Sequence, residues 1–309
     1  MCAFGTGQRS GHLDRRIAEG RVALDSSERP FRYRLFTPKI RSCQERAHRL
    51  GTITGNKHRS AARRAVITGA AHGLGLAIAR RFAADGAHLL LVDADRAVLS
   101  RVEEREFGGR AFAVVEDLAD TDAGKAVFAE ASKTLGIADT LINNAAWSFH
   151  KPMLEVTVQE FDRVVAVNQR APFFLAQYFV RQISDASERP LDPVIINIGS
   201  VNALAGNPNL VPYAGTKGAL SAMTRAMAVE MQEVGIRINT ISPAAVETYV
   251  TKNLIAQGVI DPAKLFEKYL IRRFASCEEI ADLVAYLCSG AATYVNGANW
   301  VIDGGYLAQ

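Results

Sequence analysis

Two side chains in the second half of the chain are spaced so that together they could move a proton. Tyr213 and Lys217 are four residues apart in a segment with helical periodicity, so they share one face of the helix. Tyrosine, with an ordinary pKa of about 10, is a poor base at neutral pH. A lysine ammonium one turn away stabilises the phenolate and lowers that pKa. The pair therefore indicates proton transfer to or from an oxygen atom.

Two further polar residues precede this pair and suit the same chemistry. Ser200 directly follows an apolar run, Val194–Gly199, that predicts a strand. Its hydroxyl can hydrogen-bond a substrate oxygen and the alkoxide that develops there. Asn168 lies in a long helical segment and can hold a water that links Lys217 to solvent. A tyrosine and a lysine at helical spacing are otherwise often a surface pair, so the interpretation depends on the residues around them.

A glycine-rich turn follows the first predicted strand and opens the first predicted helix. Its glycines, within Thr68–Gly75, have the spacing GxxxGxG. Glycines at such a turn let a pyrophosphate approach backbone N–H groups at a helix N-terminus. The alternative is a purely structural turn, because glycine turns are common in α/β proteins. The residues of the turn that we expect to contact a dinucleotide are Gly69, His72, Gly73, Leu74 and Gly75.

An acidic residue, Asp93, ends the second predicted strand. A carboxylate there can accept hydrogen bonds from both hydroxyls of a ribose and repels a 2′-phosphate, which favours NAD over NADP. Asp93 could instead cap the helix that follows. Arg96, three residues further on, could weaken the preference for NAD.

Two later strand ends carry further candidate contacts. Asp117, next to Leu118, follows the third strand at the place where an adenine-contacting acid would fall. Asn144 and Ala145 follow the fourth strand, and small or amide residues there allow close approach of a cofactor. A strand-end turn explains the second pair equally well.

The elements that must position these residues alternate along the body of the chain. Short, almost continuously apolar runs alternate with longer segments of helical periodicity, which is typical of a parallel sheet covered on both faces. We therefore expect an α/β fold with a doubly wound, seven-stranded parallel sheet and helices on both faces. The predicted strands are Ala65–Thr68, His88–Val92, Ala111–Val115, Thr140–Ile142, Val194–Ile198, Ile236–Ile241 and Trp300–Ile302, and the predicted helices are 74–85, 94–106, 121–135, 157–183, 212–234 and 278–288. Residues 244–275 are expected to lie over the carboxyl edge of the sheet, where ligands bind.

The charge is distributed unevenly along the chain. Residues 1–64 contain 15 basic and 5 acidic side chains, although the whole chain has a formal net charge of only +4. We expect residues 1–63 to be a basic, disordered N-terminal extension without catalytic function, because they lack a periodic apolar pattern. An organelle-targeting peptide is the alternative, although its acids count against it. Residues 64–309 are expected to form a single catalytic domain.

Composition also bears on compartment and partners. No stretch approaches the 18 consecutive apolar residues of a membrane span. The four cysteines form no CxxC pair, so a reducing compartment, the cytoplasm, fits best. The six histidines show no metal-binding spacing, and we expect no metal site. The body of the chain is net acidic and lacks the net positive charge typical of a nucleic-acid-binding domain.

Taken together, these segments make the region from about Ala65 to Gly305 resemble the short-chain dehydrogenase/reductase family. The matching segments are TGAAHGLG (68–75), the EDL that contains Asp117, NNAA (143–146), VNQRAPFF (167–174), NIGS (197–200), YAGTK (213–217), INTISPAAVET (238–248), RRFASCEEIADLVAYLCS (272–289) and VNGANWVIDGG (295–305). The resemblance implies a Rossmann-like sheet, a nicotinamide cofactor and hydride transfer between an alcohol and a ketone. It also implies a homotetramer joined by the helices that carry Asn168 and Tyr213.

The family's functional residues can be placed on this sequence one by one. Its catalytic tetrad of Asn, Ser, Tyr and Lys falls on Asn168, Ser200, Tyr213 and Lys217. The expected cofactor contacts are Gly69, His72, Gly73, Leu74, Gly75, Asp93, Asp117, Leu118, Asn144, Ala145, Tyr213, Lys217, Pro243, Val246 and Thr248. The chain departs from the usual family pattern at Ala146, Ala244, Ala275 and Cys277, and none of these positions belongs to the tetrad.

Substrate choice is expected to depend on the residues beside the tetrad. Their asparagines, tryptophan and histidine can hydrogen-bond hydroxyl groups, which favours a sugar, a polyol or another small polar alcohol. The alternative is that the asparagines only shape turns. The enzymatic alternative is a 3-oxoacyl-thioester reductase that uses NADPH, and the non-enzymatic alternative is a nucleotide-binding scaffold without turnover. The expected substrate contacts are Ala146, Trp147, His150, Ser200, Asn202, Asn207 and Tyr213.

Overall fold

The computed structural model describes residues 62–104 and 106–308. Apart from Ala62 and Arg63, the predicted N-terminal extension lies outside the described residues. The strands are β1 (Arg64–Thr68), β2 (His88–Asp93), β3 (Ala111–Val115), β4 (Thr140–Asn143), β5 (Val194–Ile198), β6 (Arg237–Pro243) and β7 (Asn299–Ile302). The α-helices are α1 (Gly73–Ala84), α2 (Ala97–Glu103), α3 (Ala123–Thr134), α4 (Val158–Val165), α5 (Ala171–Asp185), α6 (Val211–Glu230), α7 (Tyr249–Ala256), α8 (Pro262–Phe266) and α9 (Cys277–Leu287).

The seven strands form one parallel sheet, in the spatial order β3-β2-β1-β4-β5-β6-β7. The order reverses between β1 and β4, so the chain leaves the carboxyl ends of these two neighbouring strands in opposite directions. In open α/β sheets this switch point opens the crevice where ligands bind. The predicted doubly wound, seven-stranded architecture is confirmed.

Two apolar layers cover the sheet, one on each face. Helices α1 and α9 pack together on the first face, where Ile78 and Val284 are fully buried. Helices α3 and α5 pack together on the other face, which buries Val127 and Phe179. Because both faces are covered, the strands between them are apolar along almost their whole length. The layers leave the two edges at the strand ends open for polar groups.

Two predicted elements differ in the structure. The long helical segment predicted over 157–183 is divided into α4 and α5 by a π-helical turn, Ala166–Arg170. The helix predicted over 94–106 is shorter, because the Asp95 carboxylate accepts a hydrogen bond from the Ala97 amide and delays its start. Residues 244–275 contain α7 and α8 and contribute to the cleft at the carboxyl edge, as expected. Among the described residues, no helix is long and apolar enough to cross a membrane.

Candidate active site

A cleft of about 1100 Å³ runs along the carboxyl edge of the sheet. Its first end lies at the glycine turn after β1, and its second end lies against α7 and α8. Every site residue expected from the sequence lines this cleft except Asn168, which lies behind it. The lining includes Gly69, His72, Gly73, Leu74, Gly75, Asp93, Asp117, Leu118, Asn144, Ala145, Ala146, Trp147, His150, Ser200, Asn202, Asn207, Tyr213, Lys217, Pro243, Val246 and Thr248.

Glycine is required at two positions of the turn. Gly69 has a φ of +65°, and a Cβ there would lie 2.9 Å from the backbone of Ala145. A Cβ on Gly75 would lie 2.0 Å from the Gly69 carbonyl oxygen. Asn144 fixes the turn, since its Nδ2 donates to the carbonyl oxygens of Thr68 and Gly69 at 2.9 and 3.0 Å. The Asn144 side chain therefore shapes the turn from behind.

Thr68 is a site residue that the sequence reasoning missed. Its hydroxyl donates to the Ile142 carbonyl and accepts from the amides of Asn144 and Ala145, at 3.0 to 3.2 Å. It thereby joins the carboxyl ends of β1 and β4 at the switch point. The signal available in the sequence was a threonine that ends an apolar run directly before the glycine turn.

The start of α1 fits the pyrophosphate of a dinucleotide. The N-cap residue, His72, makes no side-chain cap bond, and the first turn of the helix contains no acidic residue. The first amides of α1 are therefore left for an external anion, and the helix dipole favours negative charge there. Gly73 borders the same space, since a Cβ there would meet only Thr248, at 3.5 Å. The residues present thus fit a dinucleotide at the first end of the cleft.

Two carboxylates follow β2 beside the glycine turn: Asp93 lines the cleft, and Asp95 lies next to it. Asp93 accepts hydrogen bonds from the amides of Ala71, at 2.9 Å, and Asp95, at 3.0 Å. Asp93 does not cap α2, so the alternative role considered for it is wrong. Asp95 pairs with His72 at 2.8 Å. The amide of Ala97 and then His72 hold the pKa of Asp95 below its ordinary value, so this end of the cleft carries negative charge at neutral pH.

Asp117 lines the cleft but already has partners. Its Oδ1 accepts from the Ala119 amide at 2.9 Å, and its Oδ2 pairs with Arg163 at 3.0 Å. These contacts hold the pKa of Asp117 below its usual value, with the Ala119 bond as the largest cause. The Arg163 guanidinium also lies over the Trp147 ring, 5.6 Å from its centroid. Asp117 therefore links the adenine side of the cleft to the wall that contains Trp147.

Ser200, Tyr213 and Lys217 meet near the middle of the cleft. The Lys217 Nζ donates to the carbonyl oxygen of Ile198, the last residue of β5, at 2.7 Å, and lies 5.6 Å from the centre of the Tyr213 ring. The Tyr213 ring is partly exposed, but its phenol group is buried and faces the Ser200 side chain, which acts to lower its pKa. Pro212 stands in the first turn of α6, where its fixed φ suits a helix start. The structure thus brings together the three residues expected to do acid–base chemistry.

Burial dominates the electrostatics of this group. It raises the pKa of Tyr213 above its ordinary value, and the Ser200 hydroxyl opposes the rise only in part. It lowers the pKa of Lys217 to about 8. The expectation of a lowered pKa for Tyr213 is therefore wrong for this structure: burial raises it, and the only group that opposes the rise is Ser200, not Lys217. Lys217 remains mostly protonated at pH 7, since its pKa still lies above that pH.

Asn168 lies directly behind the tetrad's other members and is fully buried. Its side chain is bonded to both backbone groups of Trp147, at 2.8 and 2.9 Å, and to the Thr216 hydroxyl, at 3.3 Å. Pro172 stands four residues further on and has no N–H, so the Asn168 carbonyl cannot receive the usual helical bond from that position. The π-helical turn falls at this point. The Asn168 amide thus anchors the Trp147 wall, and both of its Nδ2 hydrogens are already used in these bonds.

The second end of the cleft combines predicted and unpredicted polar residues. Asn202 and Asn207 line it but bond to each other, Asn207 Nδ2 to Asn202 Oδ1 at 2.7 Å. Burial lowers the pKa of His150, which keeps its imidazole mostly neutral at pH 7. The sequence reasoning missed Tyr269 and Tyr306, which also line this end and pack ring against ring at 5.2 Å. Tyr269 precedes the matching segment at 272–289 and Tyr306 directly follows the one at 295–305, but both lie far along the chain from Ser200 and Tyr213.

The segment after β6 closes the cleft beside the glycine turn. Pro243 ends β6, and Val246 pairs with Ala275 in an isolated parallel bridge. Thr248 caps α7 by accepting from the Thr251 amide at 3.2 Å. All three expected residues therefore lie on one stretch of backbone along the cleft. Among the described residues, no group of three or more His, Cys, Asp or Glu side chains could hold a metal ion.

A doubly wound sheet with a glycine turn at its switch point is typical of dinucleotide-binding proteins, and Ser200, Tyr213 and Lys217 lie together in the cleft beside it. A family model described as enoyl-(acyl carrier protein) reductase matches residues 69–307. Meso-2,3-butanediol dehydrogenase from Serratia marcescens is 35% identical over 244 residues, which are 79% of this chain and 94% of the relative. Carbonyl reductase [NADPH] 2 from Sus scrofa is 30% identical over 246 residues, 80% and 97% of the two chains.

Solved structures agree with these sequence relatives. The crystal structure of 3-ketoacyl-(acyl-carrier-protein) reductase from Brucella melitensis, complexed with NADH, superposes with a TM-score of 0.73 at 31% identity. The match covers 79% of this chain and 98% of that one. The chain belongs to the short-chain dehydrogenase/reductase family of nicotinamide-dependent oxidoreductases.

Proposed function

We propose that the protein is an NAD-dependent dehydrogenase that interconverts a secondary alcohol and a ketone on a sugar, a polyol or another small polar compound. Tyr213 acts as the general acid and base, and Ser200 binds the reacting oxygen. Lys217 supplies positive charge beside the phenol, and Asn168 anchors the wall of the site. The observation that carries the proposal is the meeting of Ser200, Tyr213 and Lys217 in the middle of a cleft whose first end fits a dinucleotide.

The chemistry divides between this group and the cofactor. A bound nicotinamide would accept the hydride from the alcohol carbon or return it to the ketone. In the oxidation direction, the phenolate form of Tyr213 takes the proton of the alcohol hydroxyl as the C–H bond breaks and becomes the neutral phenol. The Ser200 hydroxyl donates to the same oxygen and stabilises the charge that develops on it. In reduction, Tyr213 returns the proton to the oxygen. Removal of water from the pocket strengthens these interactions.

The preference for NAD is inferred from the first end of the cleft. Asp93 lines this end and Asp95 lies beside it, paired with His72, and negative charge repels the 2′-phosphate that distinguishes NADP. The relatives do not decide the matter, because one solved relative was crystallised with NADH and another relative is named for NADPH. The inference therefore rests on the charges of this chain.

The substrate class is inferred from the second end of the cleft. Its lining includes Trp147, His150, Tyr249, Lys268 and Tyr306, all of which can hydrogen-bond hydroxyl or carbonyl groups. The name of the butanediol dehydrogenase relative agrees with a small diol or polyol. A steroid-sized apolar substrate would leave many of these groups without partners, which disfavours it.

A 3-oxoacyl-thioester reductase is the second candidate. The description of the matching family model and the name of the solved reductase from Brucella melitensis favour it. A scaffold without turnover is disfavoured, because the four residues of the tetrad are all present and Asn168 is linked to the backbone of Tyr213 through the Thr216 hydroxyl. The two enzymatic candidates differ in substrate but share the same acid–base group.

We also propose a cytoplasmic homotetramer. Helices α4 and α5 expose large apolar side chains, among them Val158 at 69% and Phe161 at 49%, with Phe173 and Phe174 at 40% each. Such a patch suits a subunit interface. Cys277 and Cys288 are free thiols, which fits a reducing compartment. Light scattering on the purified protein would measure the mass of the assembly.

The proposed function is tested with a panel of polyols, sugars and 3-oxoacyl thioesters, each assayed with NAD(H) and NADP(H). We expect a polyol or sugar to be the best substrate, with kcat/KM at least tenfold higher for NAD, about 1.4 kcal/mol. The control variant Tyr213→Phe should lose turnover by about a thousandfold while binding NAD normally. Equal or better use of NADP would refute the argument from Asp93 and Asp95. Best turnover of an oxoacyl thioester would favour the second candidate.

A further inference from the structure

The Ser200 hydroxyl is held from one side by a single residue, Asn202. Both the backbone amide and the Nδ2 of Asn202 donate to the Ser200 Oγ, at 3.1 and 3.2 Å. A hydroxyl oxygen has two lone pairs and one hydrogen. Because Asn202 occupies both lone pairs, the hydrogen of Ser200 is left to point away from Asn202, toward the Tyr213 side of the pocket.

A chain of hydrogen bonds fixes the orientation of the Asn202 amide. Asn202 Oδ1 accepts from Asn207 Nδ2 at 2.7 Å, and Asn207 Oδ1 accepts from the Tyr306 hydroxyl at 3.1 Å. Every bond in this chain donates toward Ser200. If the Asn202 amide were reversed, its oxygen would face Ser200 and would accept the hydroxyl hydrogen, turning it away from the reacting oxygen. The direction of the chain therefore decides what Ser200 can do.

Tyr306, at the far end of this chain of hydrogen bonds, is itself fixed in place. Tyr306 stands in a short turn near the C-terminus, where the Asp303 carboxylate accepts from the amides of Gly305 and Leu307, both at 2.8 Å. The Tyr306 ring packs against Tyr269, whose hydroxyl accepts from the Ala245 amide at 3.2 Å. The chain of bonds thus connects the pocket to two segments more than 60 residues away in the sequence.

We propose that Asn202 is a positioning residue that keeps the Ser200 hydroxyl pointed at the reacting oxygen, and that Asn207 and Tyr306 set the direction of the Asn202 amide. This inference rests on the proposed dehydrogenase function. The role differs from the direct substrate binding that the sequence predicts for Asn202 and Asn207, because their amides already bond to each other and to Ser200. Asn202 acts through Ser200 and need not touch the substrate.

The test uses Asn202→Ala and the isosteric Asn202→Asp, whose carboxylate cannot donate to Ser200. We expect each to lower kcat about tenfold, the loss of a hydrogen bond to a charged group, with little change in the KM for alcohol. Ser200 partly offsets the raised pKa of Tyr213, so both variants should move the rise of kcat/KM for oxidation to higher pH. Asn202→Asp adds a carboxylate of its own near Tyr213, so the pH profile is read from Asn202→Ala. That variant changes none of the other titratable groups that line this end, which are His150, Lys217, Tyr249, Asp261, Lys264, Lys268, Tyr269 and Tyr306.

The effect of Tyr306, at the far end of the hydrogen-bond chain, can be compared with a matched control. Tyr306→Phe removes only the donor to Asn207, and we expect it to lower kcat about threefold. Tyr294→Phe makes the same change at a fully exposed tyrosine outside the cleft and should leave kcat unchanged. Equal effects of the two tyrosine variants would overturn the proposal. A wild-type pH profile in Asn202→Ala and a wild-type kcat in both Asn202 variants would overturn it, as would a rise in KM alone.

A second measurement separates this proposal from the proposed function. Urea unfolding of wild type, Asn202→Ala, Tyr306→Phe and the double variant forms a double-mutant cycle that requires no substrate. We expect the two substitutions to be coupled by at least about twofold in the unfolding equilibrium constant. Absence of coupling would refute the chain of bonds even in an active enzyme. If the wild type turns over no substrate but the coupling is present, the proposed function is refuted and the positioning of Asn202 by Tyr306 still stands.

Discussion

Lys217, at the carboxyl edge of the sheet, and Arg237, at its amino edge, are both almost fully buried cations, with relative exposures of 2% and 7%. Lys217 has one hydrogen bond, to the Ile198 carbonyl, and no carboxylate partner among the described residues. Arg237 forms two bonds of 2.9 Å to the Asp192 carboxylate and donates to the Leu287 carbonyl at 2.9 Å. The same fold therefore contains one buried cation without a counter-ion and one that is fully paired.

The pairing at the amino edge extends beyond Arg237. Asp192 also pairs with Arg63 at 3.0 Å, and Arg63 contacts Asp139 at 3.5 Å. Although burial opposes it, Arg237 and Arg63 hold the pKa of Asp192 below its usual value. Burial raises the pKa of Asp139. Four charged groups thus share a partly buried cluster at the start of β1, β4 and β6.

The difference between the edges reflects what each must do. A charge without a counter-ion is costly in the apo protein but can act on a bound ligand. A charge that is already paired with a carboxylate, as Arg237 is with Asp192, is expected to stabilise the fold instead. We therefore expect the two edges to respond in opposite ways when their cations are removed. Removal of Lys217 should lower activity but not stability, and removal of Arg237 should lower stability but not activity.

The largest effect is expected for Lys217→Met, which replaces the ammonium with an apolar chain of similar length. Turnover should fall by at least about a thousandfold. The unfolding free energy at pH 7 should rise by about 3 kcal/mol, because the pKa of Lys217 is lowered from about 10.5 in the unfolded chain to about 8 in the fold. Urea unfolding and steady-state kinetics on the same preparation measure both effects.

The pH dependence of that gain gives an independent check. Between about pH 8 and pH 10.5 the unfolded chain binds the lysine proton more tightly than the folded protein does, so wild-type stability should rise with pH in this window. The advantage of Lys217→Met should shrink over the same interval and vanish above it. A variant that is less stable than wild type at pH 7 would contradict this account of Lys217.

The next largest effect is expected for Arg237→Met at the opposite edge. This change leaves Asp192 with only Arg63, and loss of one partner from a buried pair lowers the unfolding free energy by about 3 kcal/mol. The kcat of the folded enzyme should stay within about twofold of wild type, since Arg237 does not line the cleft. Lys133→Met removes an exposed partner of Glu130 and should change stability by less than about 0.5 kcal/mol. A large loss of kcat in Arg237→Met would break the contrast between the edges.

The fold could be predicted because its evidence is local. Each strand is a short apolar run, and each covering helix repeats its apolar residues at helical spacing, so both patterns are visible within a few residues. The π-helical turn at Asn168 was not predictable in the same way. Pro172 signals a disturbed helix, but only packing against Trp147 and Thr216 shows that the chain continues through the disturbance into α5.

The sequence predicts which residues belong to the candidate site but not which of them are hydrogen-bonded to one another. The residue types and strand ends indicated Ser200, Tyr213 and the glycine turn, and the sheet topology brings them to one cleft. The sequence shows that Asn202 and Asn207 carry amides, but their partner Tyr306 lies 99 residues after Asn207. The pairing of Arg237 with Asp192 spans 45 residues. Such contacts depend on how strands are ordered in space, which no local pattern reports.

The smallest expected effect concerns Arg63, where the predicted extension meets the body. Its guanidinium donates to the Asp192 backbone carbonyl at 2.6 Å and also to the Cys288 carbonyl, so Arg63 belongs to the amino-edge cluster. We expect Arg63→Ala to lower the unfolding free energy by about 1–2 kcal/mol without changing kcat. Arg64→Ala, at a more exposed neighbour, should lower the unfolding free energy by less than about 0.5 kcal/mol.

A chain that begins at Ala62 keeps the amino-edge cluster and should match the full chain in kcat and stability. A folded but inactive chain of that length would instead place part of the active site within residues 1–61.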